Sequence, residues 1–142
     1  MLEKVQIVVF KLVQSEPMVL LLQTNEERGG FWQNITGGVE SFDPTIHAAA
    51  IREVEEEIGI KLASEQLRTL DYAFEYDNTK RRHHYKEHCF FTIIDHSKEI
   101  KISNLEHQAF KWVPATDVTN TSYRFETNYE AYKKALQQME SH

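Results

Sequence analysis

The chain opens on two runs of branched apolar residues, VQIVVFKLV (5–13) and MVLLLQ (18–23), separated by QSEP. Such density of Val, Ile and Leu reads as two paired strands with Pro17 in the turn between them. A polar loop, TNEERGG, follows, and FWQNIT (31–36) predicts a short strand running into Gly37–Gly38. The spacing of apolar positions then changes. His47, Ala50, Ile51, Val54 and Ile58 recur at helical intervals. Asp43 as cap, Pro44 at the first helical position and Gly59 as stop bound a helix over 44–58.

Partial alternation returns in LRTLDYAFEY (67–76) and HYKEHCFFTIID (84–95), two strands joined by a basic loop. AFKWV (109–113) predicts a further strand stopped by Pro114, with Phe110 and Trp112 directed to the core. TNYEAYKKALQQM (127–139) is amphipathic and predicts a closing helix, opened by a Thr127–Glu130 capping box. Strands and helices mix without regular βαβ alternation, which points to an α/β fold: a mixed sheet with helices on its faces.

Composition narrows the partners. At 142 residues the chain is expected to form one domain over 1–142. Its net charge of −6 lacks the basic stripe a nucleic-acid polymer requires. The longest apolar run, MVLLL, is far too short to cross a bilayer, and the amino terminus reads as a strand rather than a signal peptide. The single cysteine, Cys89, sits in HCFFTII and is expected to be a buried, inert thiol in a reducing, cytoplasmic setting.

Against this background, IREVEEEIGI (51–60) stands out. Carboxylates at i,i+4 repel, yet Glu53, Glu56 and Glu57 fall at i, i+3 and i+4 on one helix face, while Glu55 points elsewhere. A charge run is commonly a solvated surface. Here three carboxylates lie beside a buried apolar stripe, just after a Gly-Gly turn that exposes bare backbone. That combination suits a hard divalent cation, which prefers oxygen ligands.

GGVESFDPTIHAAAIREVEEEIGI (37–60) resembles the signature of Nudix hydrolases. Its second half matches throughout at Arg52, Glu53, Val54, Glu56, Glu57, Gly59 and Ile60. In the first half, Pro44 stands where the signature has Glu, with Glu40 and Asp43 the nearby acids. FWQNITGGVE and LEHQAFKWV extend the similarity towards the family's bacterial dihydroneopterin triphosphate pyrophosphatases and nucleoside triphosphate pyrophosphohydrolases.

The resemblance implies a Nudix-type α/β/α sandwich and hydrolysis of a phosphoanhydride in a small phosphorylated substrate. It implies Mg²⁺ as cofactor, with Mn²⁺ as a substitute. Glu53 and Glu57 become expected metal ligands assisted by Glu56, Arg52 the residue that orients them, and Glu106 a further ligand or the general base. Glu53 is the alternative base. The backbone of Thr36, Gly37 and Gly38 is expected to line the metal or phosphate site. Arg81 and Arg82 of the basic loop are candidate phosphate contacts, and Phe31, Trp32, Phe74 and Tyr76 candidate stacking surfaces for a flat ring. His107 is expected to be solvent-exposed, and Glu75 and Glu87 are strand acids within reach of the site. Other nucleoside diphosphate derivatives as substrates, or a non-catalytic nucleotide-binding domain, are the competing readings.

Overall fold

The computed structural model describes residues 1–141. Strand β1 (Leu2–Val13) turns back into β2 (Glu16–Thr24) through Gln14 and Ser15, both in the left-handed region at φ 52° and 68°. This two-residue hairpin turn matches the twist of the strands it joins. Pro17 is therefore not in the turn. It pairs with Leu12 at the hairpin end of β2, beyond the stretch of β2 that its other neighbour covers. A proline without an N–H is tolerated there.

The remaining strands are β3 (Trp32–Gln33), β4 (Ile35–Gly38), β5 (Leu67–Asn78), β6 (His83–Ile94) and β7 (His107–Pro114). The sheet runs β3-β2-β1-β6-β5, with β4 paired to β1 and β7 to β2. It is mixed, since β1 and β6 are parallel and the other pairs antiparallel. One edge of β1 is shared: β4 takes Lys4–Ile7 and β2 takes Phe10–Val13, so the sheet forks around its central strand.

Alternation along β1 divides the core in two. Val5, Ile7 and Val9 pack with Ala49, Ala50, Val54 and Ile58 of helix α1 (Ile46–Ile58). Val8 and Phe10 face the other way, with Ala131, Tyr132 and Ala135 of helix α2 (Glu126–Glu140). One helix thus covers each face, giving the expected α/β/α layering. Phe10 is fully buried between Phe91 and Tyr132, at centroid distances of 6.4 and 6.1 Å; truncating such a ring costs about 3–5 kcal/mol. Cys89 lies in this second core, and burial pushes its thiol well above the ordinary range. Gln6 breaks the apolar pattern of this face: it is fully buried and bonded to Glu87 and Asn34.

Both helix starts differ from the sequence expectation. Thr45, not Asp43, caps α1 by accepting from the Ala48 N–H at 2.9 Å, because Asp43 is engaged elsewhere. Gly59, at φ 74°, ends α1 as predicted. Helix α2 starts at Glu126 with Phe125 at the cap and no side-chain capping bond, so the Thr127–Glu130 box is not used. Phe125 instead packs edge-on against Phe31, centroids 5.3 Å apart, and this tertiary contact sets the helix entry. Among the described residues no helix is long and apolar enough to cross a membrane.

Candidate active site

Two buried carboxylates anchor the site. Glu53 and Glu57 are 7% and 4% exposed at one end of the α1 core stripe, while Glu56 and Glu55 are exposed. Gly37 on β4 faces Glu53 so closely that a Cβ there would lie 2.0 Å from the Glu53 Cδ. Only glycine leaves room for the carboxylate. Thr36, Gly37, Gly38, Glu53, Glu56, Glu57 and Glu106 line one cleft of about 480 Å³.

Arg52 holds this arrangement. Its Nε and Nη2 donate to the two Asp43 oxygens at 2.9 and 2.8 Å, and Nη2 also donates to the Gly38 carbonyl at 2.9 Å. Nη1 donates to Glu53 at 3.0 Å and to Glu56 at 3.2 Å. Asp43 thus supplies an acid one residue before Pro44, and Arg52 keeps its carboxyl below the usual range. The guanidinium ties helix, loop and β4 together through planar, bidentate bonding that a lysine cannot reproduce.

His107, expected at the surface, is instead 1% exposed. Its Nδ1 lies 2.7 Å from Glu57 Oε2, and its Nε2 lies 3.1 Å from Gln33 Nε2. The reason is β7: pairing with β2 turns His107 inward opposite Thr24, at an irregularity in the ladder. The Glu57–His107 approach is a close contact rather than an aligned hydrogen bond, and both enclosed atoms lack an aligned partner. Glu106 joins them, the three offering ligand atoms within 4.8 Å of one another. Glu106 also lies 3.5 Å from Arg28 at the half-exposed rim.

Charge repulsion shows in the acidities. Burial, with Glu56 and Glu57 adding to it against Arg52, pushes the Glu53 carboxyl up to about 7. The neighbouring Glu57 carboxyl is the main cause raising the Glu106 carboxyl, with burial second. Burial works against ionised Glu57, yet His107 and Glu106 beside it outweigh burial and hold it below its ordinary value. Converging carboxylates and an enclosed carboxylate oxygen without an aligned partner fit a hard divalent cation such as Mg²⁺ or Mn²⁺.

A second cavity of about 510 Å³ adjoins the first at Thr36, which lines both. Phe31, Phe74 and Tyr76 line it, together with Phe125, Glu75 and Glu87. Trp32 does not line it; it packs against the α2-side core with Lys111 over its ring at 4.1 Å. Arg81 and Arg82 lie at the exposed β5–β6 turn and line neither cavity. That hairpin extends the basic residues beyond the clefts. Phe110, expected in the core, is 40% exposed, whereas Trp112 packs on the α1-side core. Gln6, Asn34 and Asn128, which no local pattern singled out, form a buried polar group behind this cavity.

Residues 3–137 match the family model described as NUDIX domain. The chain is 35% identical over 121 residues to a dihydroneopterin triphosphate diphosphatase of Escherichia coli strain K12, covering 78% of each protein. It is 37% identical over 111 residues, 77% of this chain, to an octanoyltransferase of Myxococcus xanthus, of which the match spans only 30%. The solved E. coli dihydroneopterin triphosphate pyrophosphohydrolase superposes with a TM-score of 0.77 at 26% identity, covering 96% of this chain and 95% of that one.

Proposed function

The chain belongs to the Nudix family, and from that premise we propose that residues 1–142 form one hydrolase domain cleaving the triphosphate of a nucleotide or of dihydroneopterin to the monophosphate and pyrophosphate. The observation that carries this reading is the cleft where Glu53, Glu56, Glu57 and Glu106 converge on the bare backbone of Gly37. Glu53 and Glu57 would hold Mg²⁺, with Glu56 at the rim. The ion supplies Lewis acidity and offsets phosphate charge, so an acidic protein can accept a polyanion.

The chain's own residues do the rest. Arg52 fixes the Glu53 carboxylate against β4 through Asp43 and the Gly38 carbonyl. Glu106, half-exposed at the rim, is placed to take the proton from an attacking water. The water oxygen bonds to phosphorus, the anhydride P–O bond breaks, and pyrophosphate leaves with the electron pair. Glu53, enclosed by Gly37 and Arg52, is less open to water than Glu106. The E. coli relatives named for dihydroneopterin triphosphate support a pterin among the substrates.

The test is pyrophosphate release by purified protein with Mg²⁺ across dihydroneopterin triphosphate and the common nucleoside triphosphates. We expect turnover of at least one, and a loss of about 10³-fold or more in kcat for Glu57→Gln. Turnover only of nucleotide sugars or dinucleoside polyphosphates would move the activity to another phosphoanhydride. No turnover of any of them would refute the assignment.

A further inference from the structure

We propose that Glu87 is the specificity-determining residue of this site, reading the two adjacent N–H donors of a fused 2-amino-4-oxopyrimidine ring, the edge common to guanine and pterin. The inference rests on the triphosphatase reading for its place beside the phosphate cleft, and on an independent set of observations for its chemistry.

Glu87 is 6% exposed, yet it lines the aromatic cavity that meets the carboxylate cleft at Thr36. It lies on the sheet face otherwise given to Cys89, Phe91, Val8 and Phe10, where a buried acid has no packing role. An acid in that position needs donors, and the fold supplies them in a chain of fixed polarity. Asn34 Nδ2 donates to the Asn128 backbone carbonyl at 3.2 Å, which settles which end of the Asn34 amide faces Gln6. The same Nδ2 donates to Gln6 Oε1 at 2.8 Å. Gln6 therefore turns its Nε2 to Glu87 and donates to Oε2 at 2.7 Å. Tyr76 donates to Oε1 at 3.3 Å.

A network that begins at a backbone carbonyl thus ends by presenting Glu87 as an acceptor. Burial raises its carboxyl above the ordinary range, while the Gln6 bond, Lys4 and the Tyr76 bond pull the other way. Each carboxylate oxygen has received one donor from the protein, and each can accept more than one. Two acceptors side by side match a ring N–H next to an exocyclic amine. Adenine and cytosine offer an acceptor beside a donor and would set a ring nitrogen lone pair against a carboxylate oxygen. Thymine and uracil offer one N–H flanked by carbonyls. Phe31, Phe74 and Tyr76 supply flat apolar walls for the ring.

The test measures binding separately from turnover. Calorimetry with non-hydrolysable α,β-imido triphosphates of guanosine, inosine and adenosine in Mg²⁺ reads the ring edge alone. Inosine lacks only the exocyclic amine. We expect guanosine to bind about 10-fold tighter than inosine and about 100-fold tighter than adenosine, the scale for lost hydrogen bonds to a charged group. In Glu87→Gln both ratios should collapse towards one. Should that variant fail to fold by circular dichroism, Tyr76→Phe, which removes one donor to Glu87 Oε1, should still change both ratios; unchanged ratios there would overturn the assignment. Equal affinities for guanosine and adenosine would overturn the inference even if both triphosphates are hydrolysed. A guanosine preference that Glu87→Gln abolishes, without turnover of any triphosphate, would uphold the Glu87 assignment while refuting the triphosphatase. Comparing kcat/KM for dihydroneopterin triphosphate and dGTP then tells which of the two rings is preferred.

Discussion

Gly37→Ala separates the chemistry of the site from the stability of the fold. The added Cβ would lie 2.0 Å from Glu53 Cδ, whereas nonbonded carbons settle at about 3.5 Å or more. The carboxylate must therefore retreat by about 1.5 Å. That movement breaks its 3.0 Å contact with Arg52 and exceeds the roughly 0.2 Å latitude of metal coordination. Misplacement of about 1 Å is enough for a 100-fold loss of rate, so kcat should fall by at least about that factor. Stability should suffer much less. The obstructed atoms are the far end of a flexible side chain, and Arg52 keeps Asp43 and the Gly38 carbonyl. Overpacking relieved in this way costs about 1 kcal/mol, or about 3–5 °C in Tm. Pyrophosphate release and calorimetric melting check the two halves. In Glu53→Ala the space opens, so the same glycine substitution there should leave Tm unchanged. A Gly37→Ala enzyme within threefold of wild-type kcat would refute the placement of Glu53 as a ligand held by this close approach.

Further expectations concern the neighbours of that contact. Arg52→Lys forfeits the paired bonds to Asp43 and should lower kcat by about 10–100-fold in a pyrophosphate assay; an unchanged rate would rule out its orienting role. His107→Asn should raise the Mg²⁺ concentration for half-maximal activity by about 10–100-fold, the usual weight of a group that orients a metal ligand, and an unaltered Mg²⁺ titration would remove His107 from the site. Mg²⁺ at 100 times its Kd should add about 2.7 kcal/mol of stability, read as a rise in Tm that Glu57→Gln abolishes; a Tm indifferent to Mg²⁺ would leave the acidic cluster without its cation. In metal-free protein, Glu53 carries a folded-state value of about 7 against 4.5 for an unperturbed carboxyl. A raised acid penalises folding only when ionised, so its penalty is absent below 4.5, grows between the two values and is complete above about 7. Melting with EDTA should therefore show stability lost between pH 4.5 and about 7, with Glu53→Gln flattening that slope; a slope equal in both proteins would exclude Glu53 as its source.

Much of the fold was legible because it rests on local periodicity. The strand runs, the α1 stripe and the Gly59 stop all declare themselves within a few residues. The acidic face was legible for the same reason, since i, i+3 and i+4 spacing needs only one helix. Contacts set by strand pairing were not. His107 reads as a loop histidine until β7 pairs with β2 and carries it beneath Glu57. Gln6 and Glu87 lie 81 positions apart, and only the parallel register of β1 and β6 brings them to one face. The misplaced helix caps have a similar cause: Asp43 was a better partner for Arg52 than for a helix end, and Phe125 a better partner for Phe31. A buried polar residue within a strand's apolar face, as at Gln6, was the available signal for the second cavity.

The shared edge of β1 has an evolutionary consequence. In the β1–β4 pairing Gly37 stands opposite Val5 and Thr36 opposite Gln6, so successive residues of one short strand serve opposite sides of the sheet. On the proposed reading, anhydride cleavage would lie on the α1 side and ring selection on the α2 side. Substitutions at Glu87, Tyr76 or Asn128 can therefore retune the cargo while the carboxylates keep their places, and drift towards a new substrate need not pass through an inactive intermediate. If both proposed roles hold, the alternation of faces along β4 would make the protein modular below the level of a domain.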